Sequence, residues 1–489
     1  MSLRSVLSLL LTVCAAGVIL AAGCERQHVW ESNFRRSHLE RAPSDLYWED
    51  SPDGELVKLT EDSGLNIYLA YAAQNNPGLE GAFNRWKAAL EHIPQVKSLP
   101  DPRFTYRYYI SEIETRVGPM RQSFGLSQTF PWLGKLELRG DVAAELAKAE
   151  RYRFEATRLK LFYEVKDAYC EYYYLWRSVV IVQENLRLLQ HMEKVARTRY
   201  KTAAGLHSDV IRAQVEIGKL EDRLKSLQHL RQPIMAKLNA ALNRPAAAEL
   251  PWVKTIPQEQ VSFSDEQMLT WINESNPELK AMDAETAAAL HRTELAKKEY
   301  YPDITLGVDY TDIGSSTGGR HPSDDGKDAF SVMASINLPI WYDKLSAGVR
   351  EARYRQWAAT LTRHQRANDL GSALKLVLYR FHDAERKVNL YRDTLIPKAT
   401  EAVKTSETAF QAGKIGFTDL IDTQRLFLEF GLAVERSSAD RVQRLAELEM
   451  LVGRPIPVDE PTIPKNASTH TPQPEDEKET LDDNDTTNK

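Results

Sequence analysis

The sequence predicts a mainly α fold with a small membrane β part, in which one unit of strand pair plus long helical hairpin is written twice. Three observations predict it. Residues 208–214, SDVIRAQ, return as TDLIDTQ at 418–424, 210 positions later. Short runs with apolar residues at every second position precede long runs with apolar residues three and four apart, in both halves. Beyond Leu20 no apolar stretch has the length of a spanning helix, so a membrane crossing would have to use strands.

The 489 residues are 42% apolar and 27% charged, a globular balance with room for a sizeable core. Net charge is −6, and the stretch from Asp459 onward alone holds nine acids against three lysines. The body is therefore close to neutral, which argues against nucleic acid as a partner, since that needs a basic face. Residues 457–489 lack the apolar side chains that could offset ordering entropy and are expected to form an acidic disordered tail.

The chain opens MSLRSVLSLLLTVCAAGVILAAGCERQ: one Arg, an apolar run, then small residues, the pattern of an export signal over residues 1–23. AAGC at 21–24 resembles the box at which bacterial lipoproteins are cut and acylated, so Cys24 is the expected lipid site. The family pattern places Leu three residues before the Cys, where this chain has Ala21. Residues 24–54 would be a linker. Processing would leave Cys170 alone, so no intrachain disulfide is expected and packing must hold the fold.

Repeat 1 spans 55–245 and repeat 2 spans 246–456. Asn76 matches Asn276, Pro102 matches Pro302, Phe130-Pro131-Trp132 matches Leu338-Pro339-Ile340, and Asn243-Arg244-Pro245 matches Gly453-Arg454-Pro455. Each copy begins with an alanine-rich helix ending near Pro100 or Pro302. Two alternating runs follow: Phe104, Tyr106, Tyr108, Ile110 and Phe124, Leu126, Phe130 in the first copy; Ile304, Leu306, Val308, Tyr310 and Phe330, Val332, Ala334, Ile336, Leu338 in the second. Period two marks half-buried strands of about nine to eleven residues, the length of a tilted membrane strand. Extra residues of the second copy fall in the loop 312–328, DIGSSTGGRHPSDDGKD.

A helical pattern then runs from Leu136 to Ala204, roughly 100 Å at 1.5 Å per residue. Val165, Tyr172, Val179 and Leu186 step by seven, with Ala168, Leu175, Val182 and Leu189 between. The spacing predicts a turn at 204–207, with Ser208 as N-cap and Asp209 in the first turn, then a return helix ending at Arg244-Pro245. Copy two repeats this from Lys344 to Phe410 and from Thr418 to Gly453, with Pro397 expected to bend the long helix. Ser264 and Gln267 form a capping box opening the second copy.

Four strands cannot stand alone in a bilayer, because two edges would leave backbone groups unpaired in hydrocarbon. The sheet must close with other copies, and barrels start at eight strands, so dimer and trimer both satisfy the count.

LPDP at 99–102, SQTFPWLGKLELRGDVA at 127–143, SDVIRAQVEIGKLEDRLKSL at 208–227, LNRP at 242–245, NLPIW at 337–341 and FQAGKIGFTDLIDTQRLFLE at 410–429 together resemble the TolC family of outer-membrane efflux proteins. The resemblance covers about Leu56 to Pro455. It implies a homotrimer with a 12-stranded β-barrel in outer-membrane lipid and a long periplasmic α-barrel. The channel would be the exit duct for an inner-membrane pump joined through a periplasmic adaptor (membrane fusion) protein; the lipid-anchored branch pairs with resistance-nodulation-division pumps.

Under that resemblance the helix turns would form the tip presented to the adaptor, with Gly205, Ser208, Asp209, Gly413, Thr418 and Asp419 in contact. Asp419 and Asp422, one helical turn apart, would line an acidic ring in the pore. Copy one has Asp209 but Arg212 at the second position, so the pair comes from copy two alone. The Arg that locks the closed tip in similar proteins has no match, since Lys414 and Ile415 occupy that region. Trp132 and Trp341 stand where strand turns to helix, suited either to an interfacial belt or to packing in the junction.

Catalysis, cofactor and metal sites find no support: the eleven histidines are scattered and neither a phosphate loop nor a nucleophile elbow occurs. The alternative to a duct is a lipid-anchored periplasmic coiled-coil adaptor or scaffold that never spans the membrane; amphipathic strand pairs are the feature such a protein would lack.

Overall fold

A computed structural model describes residues 59–60, 63–258, 260–316, 319 and 323–458. The expected signal, Cys24, the linker 24–54 and nearly all of the tail lie outside the described residues. Both repeats belong to one compact unit, within 1–258 and 263–455. Among the described residues a second small unit brings 260–262 to 456–458, where Val261 and Val458 form an antiparallel bridge.

The first repeat comprises α1 (Leu65–Asn75), α2 (Pro77–Lys97), β1 (Arg103–Thr115), β2 (Gly118–Phe130), α3 (Lys135–Lys201) and α4 (His207–Ala241). The second comprises α5 (Asp265–Ser275), α6 (Pro277–Lys298), β3 (Ile304–Ile313), β4 (Ala329–Ile336), α7 (Tyr342–Leu390), one π turn (Tyr391–Leu395), α8 (Ile396–Gln411) and α9 (Phe417–Val452). The duplicated plan is thus present element for element. The Ser264 capping box forms in both directions, Ser264 N–H to Gln267 Oε1 at 3.0 Å and Gln267 N–H to Ser264 Oγ at 3.2 Å.

The four strands make one antiparallel sheet in the order β1-β2-β3-β4. β1 and β2 reach 13 residues each, longer than expected, because a two-residue turn at Arg116-Val117 lets the pairing continue to Thr115–Gly118. Gly118 has φ +126°, and a Cβ there would fall 1.7 Å from the Gly314 carbonyl oxygen, so only glycine fits.

The strand register corrects one equivalence. Moving β2 onto β4 by the Pro131-to-Pro339 offset places Leu126 on Ala334. Leu126 pairs with Phe104 and Ala334 with Leu306. Phe104 therefore corresponds to Leu306, and Pro302-Asp303 to Pro100-Asp101 rather than to Pro102 and its neighbour.

α3, 67 residues and about 100 Å long, is the spine of the first repeat. Val165, Ala168, Tyr172, Leu175, Val182 and Leu189 are buried as the heptad predicts, but Ser178 and Asn185 are buried where Val179 and Leu186 were expected. After Leu175 the buried seam is thus displaced back by one position. Around it, Tyr68 meets Tyr169 edge-on at 5.2 Å and Tyr172 stacks on Trp252 at 5.0 Å, with the Arg231 guanidinium 4.5 Å from the same indole. The Tyr172 hydroxyl donates to the Leu250 carbonyl at 3.1 Å.

The second long helix is interrupted where Pro397 predicts. Pro397 cannot donate to the carbonyl four residues back, and Ile396 N–H bonds instead to Tyr391 O, five back, which defines the π turn. That turn holds one extra residue. Upstream, buried Val165, Ala168, Tyr169, Tyr172 and Leu175 match buried Leu374, Val377, Leu378, Phe381 and Ala384 at an offset of 209. Downstream, Ser208 matches Thr418 at 210.

Candidate functional site

The sheet is sorted by face. Phe104, Tyr106, Tyr108, Leu126, Leu306, Tyr310, Phe330, Val332 and Ile336 are exposed and fall on one side, with Phe124 paired to Tyr310 and Leu126 to Val308. The alternate positions carry Thr105, Arg107, Ser123, Ser127, Thr305, Asp309, Thr311, Ser331 and Ser335. Gly125 sits beside Asp309, where a Cβ would come 2.5 Å from the carboxylate. One face suits hydrocarbon and the other an aqueous lumen. The outer edges of β1 and β4 have no strand partner among the described residues. No described helix is long and apolar enough to cross a membrane.

Below the sheet, a buried lysine ties the repeats together. Lys135 Nζ is fully enclosed and donates to Asp303 at 2.9 Å, Glu299 at 3.4 Å and the Tyr301 carbonyl at 3.1 Å. Trp132 N–H donates to the same Asp303 carboxylate at 2.9 Å, and its indole stacks on Tyr301 at 5.2 Å. Trp132 is thus a junction residue, whereas Trp341 stands 72% exposed. Nothing local in the sequence marks Lys135; its partners lie 164 to 168 positions away.

At the far end the two helix turns of the chain meet. Leu189, Met192, Ala196, Val210, Ala213, Phe410, Phe417, Leu420 and Ile421 form one apolar cluster. Gly413 adopts φ +72°, and Ala203 takes the left-handed conformation at φ 56° in the other turn, so Gly205 is not the residue that requires it. Ser208 is not the N-cap: α4 starts at His207, Leu206 takes the extended cap conformation, and no side chain caps it. Extended Leu206 already turns the chain into the helix, placing Ser208 inside the first turn with Asp209. In copy two Asp419 does the capping, its carboxylate accepting from Gly416 N–H at 3.2 Å.

Three arginines join the turns. Arg199 donates to the carbonyls of Phe410 and Ala204, the latter at 3.1 Å, and lies 4.6 Å over the Phe410 ring. Arg212 donates to Thr418 Oγ1. Arg425 bridges Asp422 at 3.0 Å and Glu216 at 2.5 Å. The Glu216 carboxyl is held below its ordinary range: burial acts to raise it, but hydrogen bonds from Arg425 and Lys219 outweigh that. Asp419 and Asp422 both stand on the exposed side of α9, as the spacing predicts, and Asp422 is already paired with an arginine. Gln424, in the repeated motif, is buried with both amide atoms unpartnered, an exception to the usual satisfaction of buried polar groups. No cluster of three or more His, Cys, Asp or Glu suited to a metal occurs among the described residues.

An amphipathic four-stranded sheet continuous with paired helical hairpins about 100 Å long is the architecture of outer-membrane efflux channel subunits, which this chain resembles. The comparisons agree. Residues 271–454 match the family model described as outer membrane efflux protein. The chain is 23% identical to the cobalt-zinc-cadmium resistance protein CzcC of Cupriavidus metallidurans, over 80% of this chain and 90% of that protein. It is 21% identical to the pyoverdine export outer membrane protein OpmQ of Pseudomonas putida, over 93% and 97%. The outer membrane protein VceC of Vibrio cholerae shares the fold at TM-score 0.66 and 18% identity, over 80% and 96%. The chain resembles the TolC-like outer-membrane efflux family, whose model its second half matches and whose fold it shares.

Proposed function

We propose that three copies of this chain close their sheets into one 12-stranded barrel and their helices into a periplasmic tube, forming the exit duct of a tripartite efflux system. The observation that carries this is the sheet itself: apolar outside, polar inside, and open at both edges. Unpaired edges in hydrocarbon cost several kcal/mol per backbone group, and neighbouring copies of the same sheet remove them. The duct would receive substrate from an inner-membrane pump through a periplasmic adaptor docking at the tip, with Gly205, Ser208, Asp209, Gly413, Thr418 and Asp419 in contact. Asp419 and Asp422 would face the lumen there as an acidic ring, with Arg425 tempering the second. Cys24 would carry the lipid anchor. The scaffold alternative gives no reason for a sheet face of exposed Phe, Tyr and Ile.

The relatives' names span metal resistance and pyoverdine export, so cargo is assigned to the pump rather than to this chain. The test is fractionation with cross-linking and unheated gel mobility. A heat-labile trimer in the outer-membrane fraction is expected; a monomer released in the soluble periplasmic fraction would end the duct reading.

A further inference from the structure

We propose that Lys344 of one copy closes on Asp101 of the next, repeating between subunits the clamp that Lys135 makes on Asp303 within one. The inference rests on the homotrimer reading and adds to it a register and a pair of residues.

The duplication supplies the geometry. The β2–β3 seam is the contact of repeat 1 with repeat 2 inside the chain, and Lys135 sits just after β2 while Asp303 sits just before β3. The matching seam between copies is β4 against the next β1. Asp101 is the counterpart of Asp303 by the strand register. Lys344 is the counterpart of Lys135 by the 209 offset of the helix core, which also carries Leu136 to Leu345 and Trp132 to Trp341.

What is enclosed at the first seam is open at the second. Lys135 has three acceptors and no exposure, whereas Lys344 and Asp101 are exposed and carry no polar partner among the described residues. Trp132 lies stacked on Tyr301, whereas Trp341 and Leu99, which corresponds to Tyr301, are 72% and 46% exposed. α3 packs against both α2 and α6, whereas α7 packs against α6 and leaves Tyr354, Trp357 and Leu361 exposed, where the next copy's α2 would lie.

Transferring the β2–β3 register makes the second seam specific. The pairs Gln128–Leu306, Leu126–Val308 and Phe124–Tyr310 become Ile336–Phe104, Ala334–Tyr106 and Val332–Tyr108 of the next copy. Every one of these six side chains is exposed in the single chain, and all six fall on the apolar face. A slip by one residue would turn one strand's apolar side toward the lumen.

The experiment uses the full-length protein in its membrane. Ala334→Cys with Tyr106→Cys should give covalent dimers and trimers on mild oxidation, while Ala334→Cys with Tyr108→Cys, two residues out of register, should give at least fivefold less. Leu126→Cys with Val308→Cys, the same pairing within one chain, confirms that the oxidant reaches the sheet. K344D and D101K should each lower the temperature at which the oligomer falls to monomer on gels, and the K344D/D101K double variant should recover most of the loss. An intact trimer whose in-register pair links no better than the offset pair, or whose double variant is as weak as the singles, overturns the clamp and leaves the trimer standing. A chain that forms no oligomer overturns both.

Discussion

Asn76 and Asn276 hold the two halves of the molecule in the same way. Each caps a helix through its side-chain oxygen, accepting from Leu79 N–H at 3.1 Å and Leu279 N–H at 3.0 Å. Each also donates its amide to the end of the return helix of its own repeat, Asn76 to Ala241 O at 3.1 Å and Asn276 to Leu451 O at 2.7 Å. One residue type thus satisfies an orphan N–H at one helix start and an orphan carbonyl at another helix end. Asn276→Ala, which removes both bonds from a buried position, should cost about 1–3 kcal/mol. Asn276→Asp keeps the cap and loses the donor, so its thermal midpoint should fall between the wild type and the alanine variant.

Gly453 ends α9 in the left-handed region at φ +86°, and a Cβ there would lie 2.6 Å from the Ser275 carbonyl. Asn243, its counterpart, takes φ 55° at the end of α4, as asparagine tolerates. Gly453→Ala should therefore destabilise by more than about 1 kcal/mol, while Asn243→Gly should be near neutral or stabilising. Paired thermal unfolding of the two variants checks both signs.

The tip should weaken in acid. Glu216 has a folded pKa below its unfolded value, so its contribution is present above the unfolded value of about 4.3 and is lost as pH falls through the folded one. Arg425 is half exposed, which limits the effect to about 1 kcal/mol or less. Glu216→Gln should lower stability near neutrality by that amount and flatten the acid side of the profile, meeting the wild type only at low pH. Limited proteolysis at the hairpin turns across the acid range is the readout.

Cys170 reports on the core. It is fully buried, and burial, with Asp167 nearby, pushes its thiol up to about 12. Only a thiolate reacts quickly. Peptide mass spectrometry after maleimide treatment should find Cys170 unmodified in the native protein and modified at the rate of global unfolding when denaturant is added.

The strands and long helices were legible because their signals are local: period two in Phe104 to Ile110 and Ile304 to Tyr310, and heptads around Val165 and Tyr172. The helix start at His207 was not, because a backbone turn at Leu206 does what a side-chain cap was expected to do. Arg199 at the tip and Lys135 at the junction escaped because their partners are distant in the chain. The true correspondence of Asp101 with Asp303 needed the strand register, since prolines at both 100 and 102 offer themselves as matches to Pro302.

The central claim is that this sheet is a membrane wall with one face to lipid and one to water. A single-cysteine scan along β3, read with a lipid-dissolved quencher and a water-soluble one in the native membrane, tests it most directly. Probes at 306, 308 and 310 should meet the lipid quencher and those at 305, 307 and 309 the aqueous one. Uniform access from water at all six positions would contradict it.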